Sequence, residues 1–199
     1  IDVLRATSTI VEALANGARM VVPASGIDDA VRIAQAVGRD NALLCGERRS
    51  LPIEGFDLGN SPREMTRERV EGRSVIMTTT NGTAALLAGA GARRTLVGAF
   101  LNLGAVADEL AKGGGPVTIL CSGREKRFAL EDAICAGALV RAVAARTKGP
   151  VERNDAALAA EMLAELRPGS LEEVLRNTAA GRQLAEAEPD GDITLCASV

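Results

Sequence analysis

Acids, guanidinium groups and hydroxyls are concentrated in four short stretches of the chain. The first, Asp2-Val3-Leu4-Arg5-Ala6-Thr7-Ser8-Thr9, sets an acid inside an apolar run and follows it with an arginine and three hydroxyls. The second is Gly46-Glu47-Arg48, with Gly55-Phe56-Asp57-Leu58-Gly59-Asn60-Ser61-Pro62 a few residues on. The third, Thr78-Thr79-Thr80-Asn81-Gly82-Thr83, runs straight into Ala84-Ala85-Leu86-Leu87. The fourth joins Cys121-Ser122-Gly123-Arg124 to Glu131-Asp132. Two chemistries fit these residue types. A run that ends in hydroxyls and glycine and then enters a helix aims backbone N–H groups and a positive dipole end at an anion, which suits Thr79, Thr80, Asn81, Gly82 and Thr83. Arg5, Arg48 and Arg124 add forks that match phosphate, carboxylate or sulfonate. The acids Asp2, Glu47, Asp57, Glu131 and Asp132 suit a hard cation, and an all-oxygen Mg²⁺ site completed by water and phosphate oxygens is the natural one. Asp2 stands out, because a lone acid within Ile1-Asp2-Val3-Leu4 needs a partner or a metal once buried.

These stretches fall where strands run into helices. Strands are predicted at Ile1–Leu4, Arg19–Pro23, Ala42–Cys45, Ser74–Thr79, Thr95–Ala99, Val117–Cys121 and Asp192–Cys196. Helices are predicted at Thr7–Asn16, Ile27–Val37, Ser61–Val70, Gly82–Ala90, Leu103–Lys112 and Leu130–Thr147, with two or three more over Asn154–Ala187 broken near Pro168-Gly169 and Gly181. Ser170 ahead of Leu171-Glu172-Glu173 is a capping-box signature. Alternation of this kind predicts an α/β chain: a mostly parallel sheet with helices on both faces, three layers in all. With no repeat or linker in view, residues 1–199 are expected to form a single domain. In such sheets ligands sit beyond the carboxyl ends of the strands, which is where the four clusters lie. Glu47–Pro62 is long, irregular and rich in Gly, Pro and charge, and a loop of that length in a compact domain is usually functional.

Composition narrows the chemistry further. The chain of 199 residues contains no His, Tyr or Trp and only three Phe, which excludes a Ser-His-Asp triad, an imidazole base and a His-containing zinc site. A net charge of −3 and the scarcity of aromatics argue against nucleic-acid partners. Four scattered cysteines, Cys45, Cys121, Cys135 and Cys196, read as free thiols in a reducing compartment, so a cytoplasmic location is expected. The longest uncharged stretch, residues 74–92, carries the polar block Thr78–Thr83 at its centre, and no membrane partner is expected. The chain opens at Ile1 inside an apolar run, which is read as a start within a longer sequence. The apolar helices around Ala156–Leu166 suit either cover for the sheet or pairing of two subunits into a homodimer.

Three sharper motifs match poorly. No phosphate-binding loop of the Gly-x-x-x-x-Gly-Lys-Ser/Thr type is present. Asp2-Val3-Leu4-Arg5-Ala6-Thr7 is similar to the Asp-x-Asp start of haloacid dehalogenase-type phosphatases, but Leu4 replaces the second Asp. Cys121 and Arg127 have the spacing of a thiolate phosphatase loop, yet Leu120 and Phe128 stand where His and a hydroxyl belong, and the residues between hold bulky cations.

Taken in order, the four clusters resemble the 2-phosphosulfolactate phosphatase family, and the likeness covers most of the chain. It implies a Mg²⁺-dependent phosphatase that releases phosphate from 2-phosphosulfolactate in coenzyme M biosynthesis, with a cytosolic α/β fold and a little more chain at both ends. On that reading Asp2, Arg5 and Asp132 are catalytic, and Asp2 and Asp132, with Glu47, Asp57 or Glu131, hold the ion. Thr79, Thr80, Asn81, Gly82, Thr83, Ser122 and Gly123 cradle the ligand, while Arg48 and Arg124 hold its carboxylate and sulfonate. The competing expectations are a phosphoacid-binding module that does no chemistry and a Cys121/Arg127 thiolate phosphatase.

Overall fold

The computed structural model describes residues 1–166, 168–187 and 191–199. The chain opens with an irregular segment into α1 (Ala6–Ala15), followed by β1 (Met20–Pro23), α2 (Ile27–Val37), β2 (Ala42–Arg48), β3 (Leu51–Pro52), α3 (Arg67–Val70), β4 (Ser74–Thr78) and α4 (Gly82–Ala88). The sheet order is β1-β4-β2-β3, with β1, β4 and β2 parallel and β3 folded back antiparallel on the end of β2.

The register separates the two faces. Leu43, Cys45, Val75 and Met77 pack with Ile10 and Ala13 of α1 on one side. Ala42, Leu44 and Ile76 pack with Ala30 and Ala34 of α2 on the other. Strands covered twice are apolar throughout rather than alternating, which is why Ala42–Cys45 and Ser74–Met77 read as continuous apolar runs. The three-layer α/β architecture follows from that burial.

The second half is helical: α5 (Leu103–Gly113), α6 (Leu130–Arg146), α7 (Asp155–Leu166), α8 (Leu171–Asn177), α9 (Ala179–Ala187) and α10 (Asp192–Cys196). Ser170 caps α8 as its sequence predicts, its Oγ accepting from Glu173 N–H at 3.2 Å while Ser170 N–H donates to Glu173 Oε2 at 2.9 Å. Helices α6 and α7 touch backbone to backbone: a Cβ on Gly137 would stand 1.9 Å from the Ala160 carbonyl oxygen. Val3, Ile134, Cys135, Leu175, Leu184, Ile193 and Cys196 form one cluster, so α6, α8, α9 and α10 close around the amino-terminal segment. All four cysteines are free thiols. Among the described residues no helix is long and apolar enough to cross a membrane.

Several predicted elements differ. Asp192–Cys196 is a helix, not a strand. Gly191, at φ 96°, starts it, and Ile193 and Cys196 are buried three residues apart, a helical spacing. Ile1–Leu4 is not a strand either, because most of its backbone groups are taken by side chains and by the first turn of α1. Val3 N–H donates to Asp132 Oδ1, Ser8 Oγ donates to the Val3 carbonyl, and Thr7 N–H and Oγ1 both donate to the Asp2 carbonyl. One rung survives, Ile1 N donating to the Leu120 carbonyl and Ser122 N–H to the Ile1 carbonyl, each at 2.8 Å. Thr95–Ala99 and Val117–Cys121 likewise carry no strand. Leu96 and Ile119 instead pack with α5 and α6 through Val106, Ala107 and Leu139. The predicted helix Ser61–Val70 is split into a 3₁₀ turn at Pro62–Glu64 and α3, since Thr66 is extended. The helix break predicted near Gly181 falls at Thr178 instead, and Gly181 lies within α9.

Candidate active site

Loops at the carboxyl ends of β2 and β4 meet the amino-terminal segment, the residue 121–125 loop and the starts of α6 and α9 around a polar cleft of about 390 Å³. That volume suits a small ligand. Asp2, Arg5, Glu47, Thr80, Asn81, Gly123, Arg124, Glu131 and Asp132 all line it, so residues far apart in sequence converge.

Asp2 and Asp132 are both buried. Asp132 Oδ1 accepts from Val3 N–H at 2.9 Å, and its Oδ2 accepts from Ser122 Oγ and Gly123 N–H, each at 3.1 Å. Asp2 Oδ1 accepts from Ala6 N–H at 3.3 Å. Burial, and then the Asp132 charge, push the Asp2 carboxyl up to about 7. Asp132 is raised by burial in spite of its three donors, and Glu131 is raised by burial in the same direction. Two neighbouring buried carboxylates without a cation between them destabilise each other, and a divalent ion would relieve that cost. Among the described residues no three Asp, Glu, Cys or His side chains gather into a closed metal cage. A pair nevertheless suits Mg²⁺, which is usually held by one or two carboxylates with water and phosphate oxygens supplying the rest.

Glu47 behaves as a brace. Its Oε1 accepts from Thr80 N–H at 2.7 Å, and its Oε2 accepts from Ser50 N–H at 2.7 Å and Thr80 Oγ1 at 3.1 Å, tying the end of β4 to the β2–β3 turn. Arg5 Nη1 donates to Asp192 Oδ2 at 2.8 Å, and Ser61 Oγ holds the other oxygen of Asp192 at 2.6 Å. Arg124 is held by Gln183 of α9.

Five of the residues singled out from the sequence lie beside the cleft rather than on it. Thr79 and Thr83 bond each other across the start of α4: Thr83 N–H reaches Thr79 Oγ1 at 3.1 Å, and Thr79 N–H reaches Thr83 Oγ1 at 3.2 Å. Gly82 supports Asp2 from behind, and a Cβ there would come within 2.6 Å of Asp2 Oδ2 and 2.5 Å of Ala6 Cβ. Ser122 positions Asp132. Arg48 turns toward β4, donating to the Thr78 carbonyl at 3.2 Å and to Thr78 Oγ1 at 3.0 Å. A sixth, Asp57, stands apart from the site: it pairs with Arg39 at 3.0 Å and accepts from Leu44 N–H at 2.7 Å, so its charge is already matched.

The cleft also contains residues given no role from the sequence: Arg49, Ser50, Asn60, Glu125 and Gln183. Arg49 and Ser50 form the β2–β3 turn with φ of 52° and 67°, a conformation normally left to Gly and Asn. Glu125 and Lys126 do the same at 50° and 62° between the bridged pair Arg124 and Arg127. Neither dipeptide carries a hairpin signature, so neither turn was visible in the residue types. Gln183 Nε2 reaches Ser50 Oγ at 3.2 Å and joins the two turns through Arg124.

A three-layer α/β chain with buried acids and arginines around one small cleft is the class this fold and site define. A family model described as 2-phosphosulpholactate phosphatase matches residues 1–199, and the chain belongs to that family. A protein of Symbiobacterium thermophilum named probable 2-phosphosulfolactate phosphatase is 42% identical over 199 residues, all of this chain and 85% of the relative. Proteins of the same name from Caldanaerobacter subterraneus and Thermotoga petrophila are 39% identical over 199 residues and 37% identical over 196, each alignment spanning 82% of the relative and 100% and 98% of this chain.

Proposed function

We propose that the chain hydrolyses the phosphate monoester of 2-phosphosulfolactate, or of a related small phosphorylated hydroxy acid, to the free hydroxy acid and phosphate. The observation that carries this reading is the convergence of the buried pair Asp2 and Asp132 with Arg5, Arg49 and Arg124 on one cleft. The names of the relatives agree with it.

Asp2 and Asp132 would hold Mg²⁺, which supplies charge neutralisation for the phosphoryl oxygens and offsets the repulsion of the two carboxylates. Arg5 adds positive charge where the transition state gathers negative charge. Arg124, fixed by Gln183, and Arg49 at the turn take the carboxylate and sulfonate. Arg49 replaces Arg48 in that role because Arg48 is spent on Thr78. Water attacks phosphorus, the ester P–O bond breaks, and the leaving oxygen takes up a proton. Glu131, raised by burial and on the same cleft, is the carboxylate available to accept the proton of the water. A Cys121 thiolate does not suit this site: the thiol is pushed up to about 11 by burial and by Asp132, the wrong direction for a nucleophile.

The test is phosphate release from 2-phosphosulfolactate and a panel of phosphorylated hydroxy acids, with Mg²⁺ and with EDTA. Turnover that stops with EDTA supports the reading, and the panel names the substrate. Turnover that survives EDTA removes the ion from it. Binding without phosphate release makes the chain a phosphoacid-binding module.

A further inference from the structure

Asn60 Oδ1 is the one buried side-chain nitrogen or oxygen among the described residues with no hydrogen-bond partner. The residue is only 5% exposed and lines the cleft. Its isolation is not the result of a loose segment. Thr9 Oγ1 donates to the Asn60 carbonyl at 2.8 Å, Ser61 Oγ is held by Asp192 at 2.6 Å, and Cys45 Sγ lies 2.9 Å from the Gly59 carbonyl. The backbone is therefore fixed on both sides of a side chain whose buried acceptor has no partner in the protein. Buried acceptors in this state are unfavourable and are uncommon unless something outside the protein completes them.

The chemistry of the ligand narrows what that something is. Phosphate, carboxylate and sulfonate groups ionised near neutral pH present acceptors only, and an acceptor facing Asn60 Oδ1 would repel it. The hydroxyl of the released acid exists only after the ester bond has broken. Before that, the partners that suit an amide oxygen are a water molecule, which donates to it, and the cation that Asp2 and Asp132 would hold; the water is the one the hydrolytic reading requires in any case. We infer that Asn60 is a catalytic residue of this cleft, its Oδ1 accepting a hydrogen bond from the attacking water and orienting that water toward phosphorus. The inference rests on the hydrolytic reading above. In the step, the water oxygen forms the new P–O bond and keeps one hydrogen, which is hydrogen-bonded to Asn60 Oδ1; its other proton passes to a carboxylate, and the ester P–O bond breaks as the leaving oxygen takes up a proton from solvent.

The experiment is steady-state kinetics and thermal unfolding of the full chain with Asn60→Ala and Asn60→Asp, using whichever phosphoacid the wild type hydrolyses. Loss of a water-orienting contact is expected to lower kcat by about 10²-fold with KM within about twofold of the wild type. Asn60→Asp keeps the acceptor and is expected to recover at least about tenfold of that kcat. The Tm of Asn60→Ala is expected to equal or exceed that of the wild type, since no protein hydrogen bond to Oδ1 is lost. Unchanged kcat overturns the inference. A joint fall of Tm and kcat overturns it in favour of a structural role, a rise in KM alone overturns it in favour of direct substrate contact, and a kcat restored by raising Mg²⁺ overturns it in favour of an ion ligand. If the wild type releases no phosphate from any phosphoacid, the hydrolytic reading fails and this inference falls with it. Wild-type turnover with unaffected Asn60 variants overturns this inference alone.

Discussion

Arg5 Nη1 lies 2.8 Å from Asp192 Oδ2, joining residues 187 positions apart in a pair whose side chains are 4% and 3% exposed. The contact ties the start of α1 to α10 and sets the guanidinium against the cleft. A pair this deep is costly to break from one side, because the surviving charge stays buried.

Asp192→Ala is therefore expected to destabilise the chain by about 3–5 kcal/mol and to lower activity through the displaced Arg5. Asp192→Asn, whose one amide oxygen can still accept from Arg5 while its NH2 donates to the Ser61 hydroxyl, is expected to lose less. Arg5→Ala should lower kcat/KM by ~10²-fold or more if the guanidinium meets the reacting phosphate. Urea unfolding and phosphate release, measured on the same preparations, separate the two effects.

Asp2 makes stability depend on pH. The carboxyl titrates at 3.8 when unperturbed and at about 7 when folded, so between those values the folded chain binds the extra proton. Stability is then expected to fall as pH rises from about 4 to about 7 and to level off above that. Thermal unfolding in EDTA should show that slope, and Asp2→Asn should flatten it while abolishing turnover. Mg²⁺ added at pH 8 should raise the Tm of the wild type but not of Asp2→Asn, since an ion that binds only the folded site stabilises it by mass action. A Tm independent of pH and Mg²⁺ would count against the carboxylate pair as an ion site.

Adjacent arginines on β2 and its turn should behave differently. Arg49→Ala is expected to raise KM by about tenfold or more while leaving kcat and Tm nearly unchanged, because Arg49 lines the cleft and is tied to the fold through its backbone N–H and carbonyl. Arg48→Ala is expected to lower Tm, because it deprives the Thr78 carbonyl and hydroxyl of their donor. Kinetics and thermal unfolding of the two variants decide the matter.

Cys121 offers a simple control. With its thiol pushed up to about 11, little thiolate exists at neutral pH. Cys121→Ser is expected to keep activity within about threefold of the wild type, and alkylation by iodoacetamide should be slow. Loss of turnover on either treatment would return the argument to thiolate chemistry.

Residue types and spacing alone determined the absence of imidazole chemistry, the α/β alternation from Arg19 to Ala88, and the polar clusters that face the cleft through Asp2, Arg5, Thr80, Asn81, Gly123, Arg124, Glu131 and Asp132. These are properties of composition and local periodicity. Tertiary structure decided matters that depend on partners distant in sequence. Asp57 resembled the other acids until Arg39 and the Leu44 N–H were seen to satisfy it, and Glu47 became a brace only through Ser50 and Thr80. Arg48 and Arg49 differ because one points along the sheet at Thr78 and the other sits on a turn with no glycine to announce it. Gln183 carries no local signal, and Asn60, although it stands in the second polar stretch, had no role assigned from it. Their positions against the cleft come from packing α9 and the residue 59–61 segment onto elements contributed by both ends of the chain.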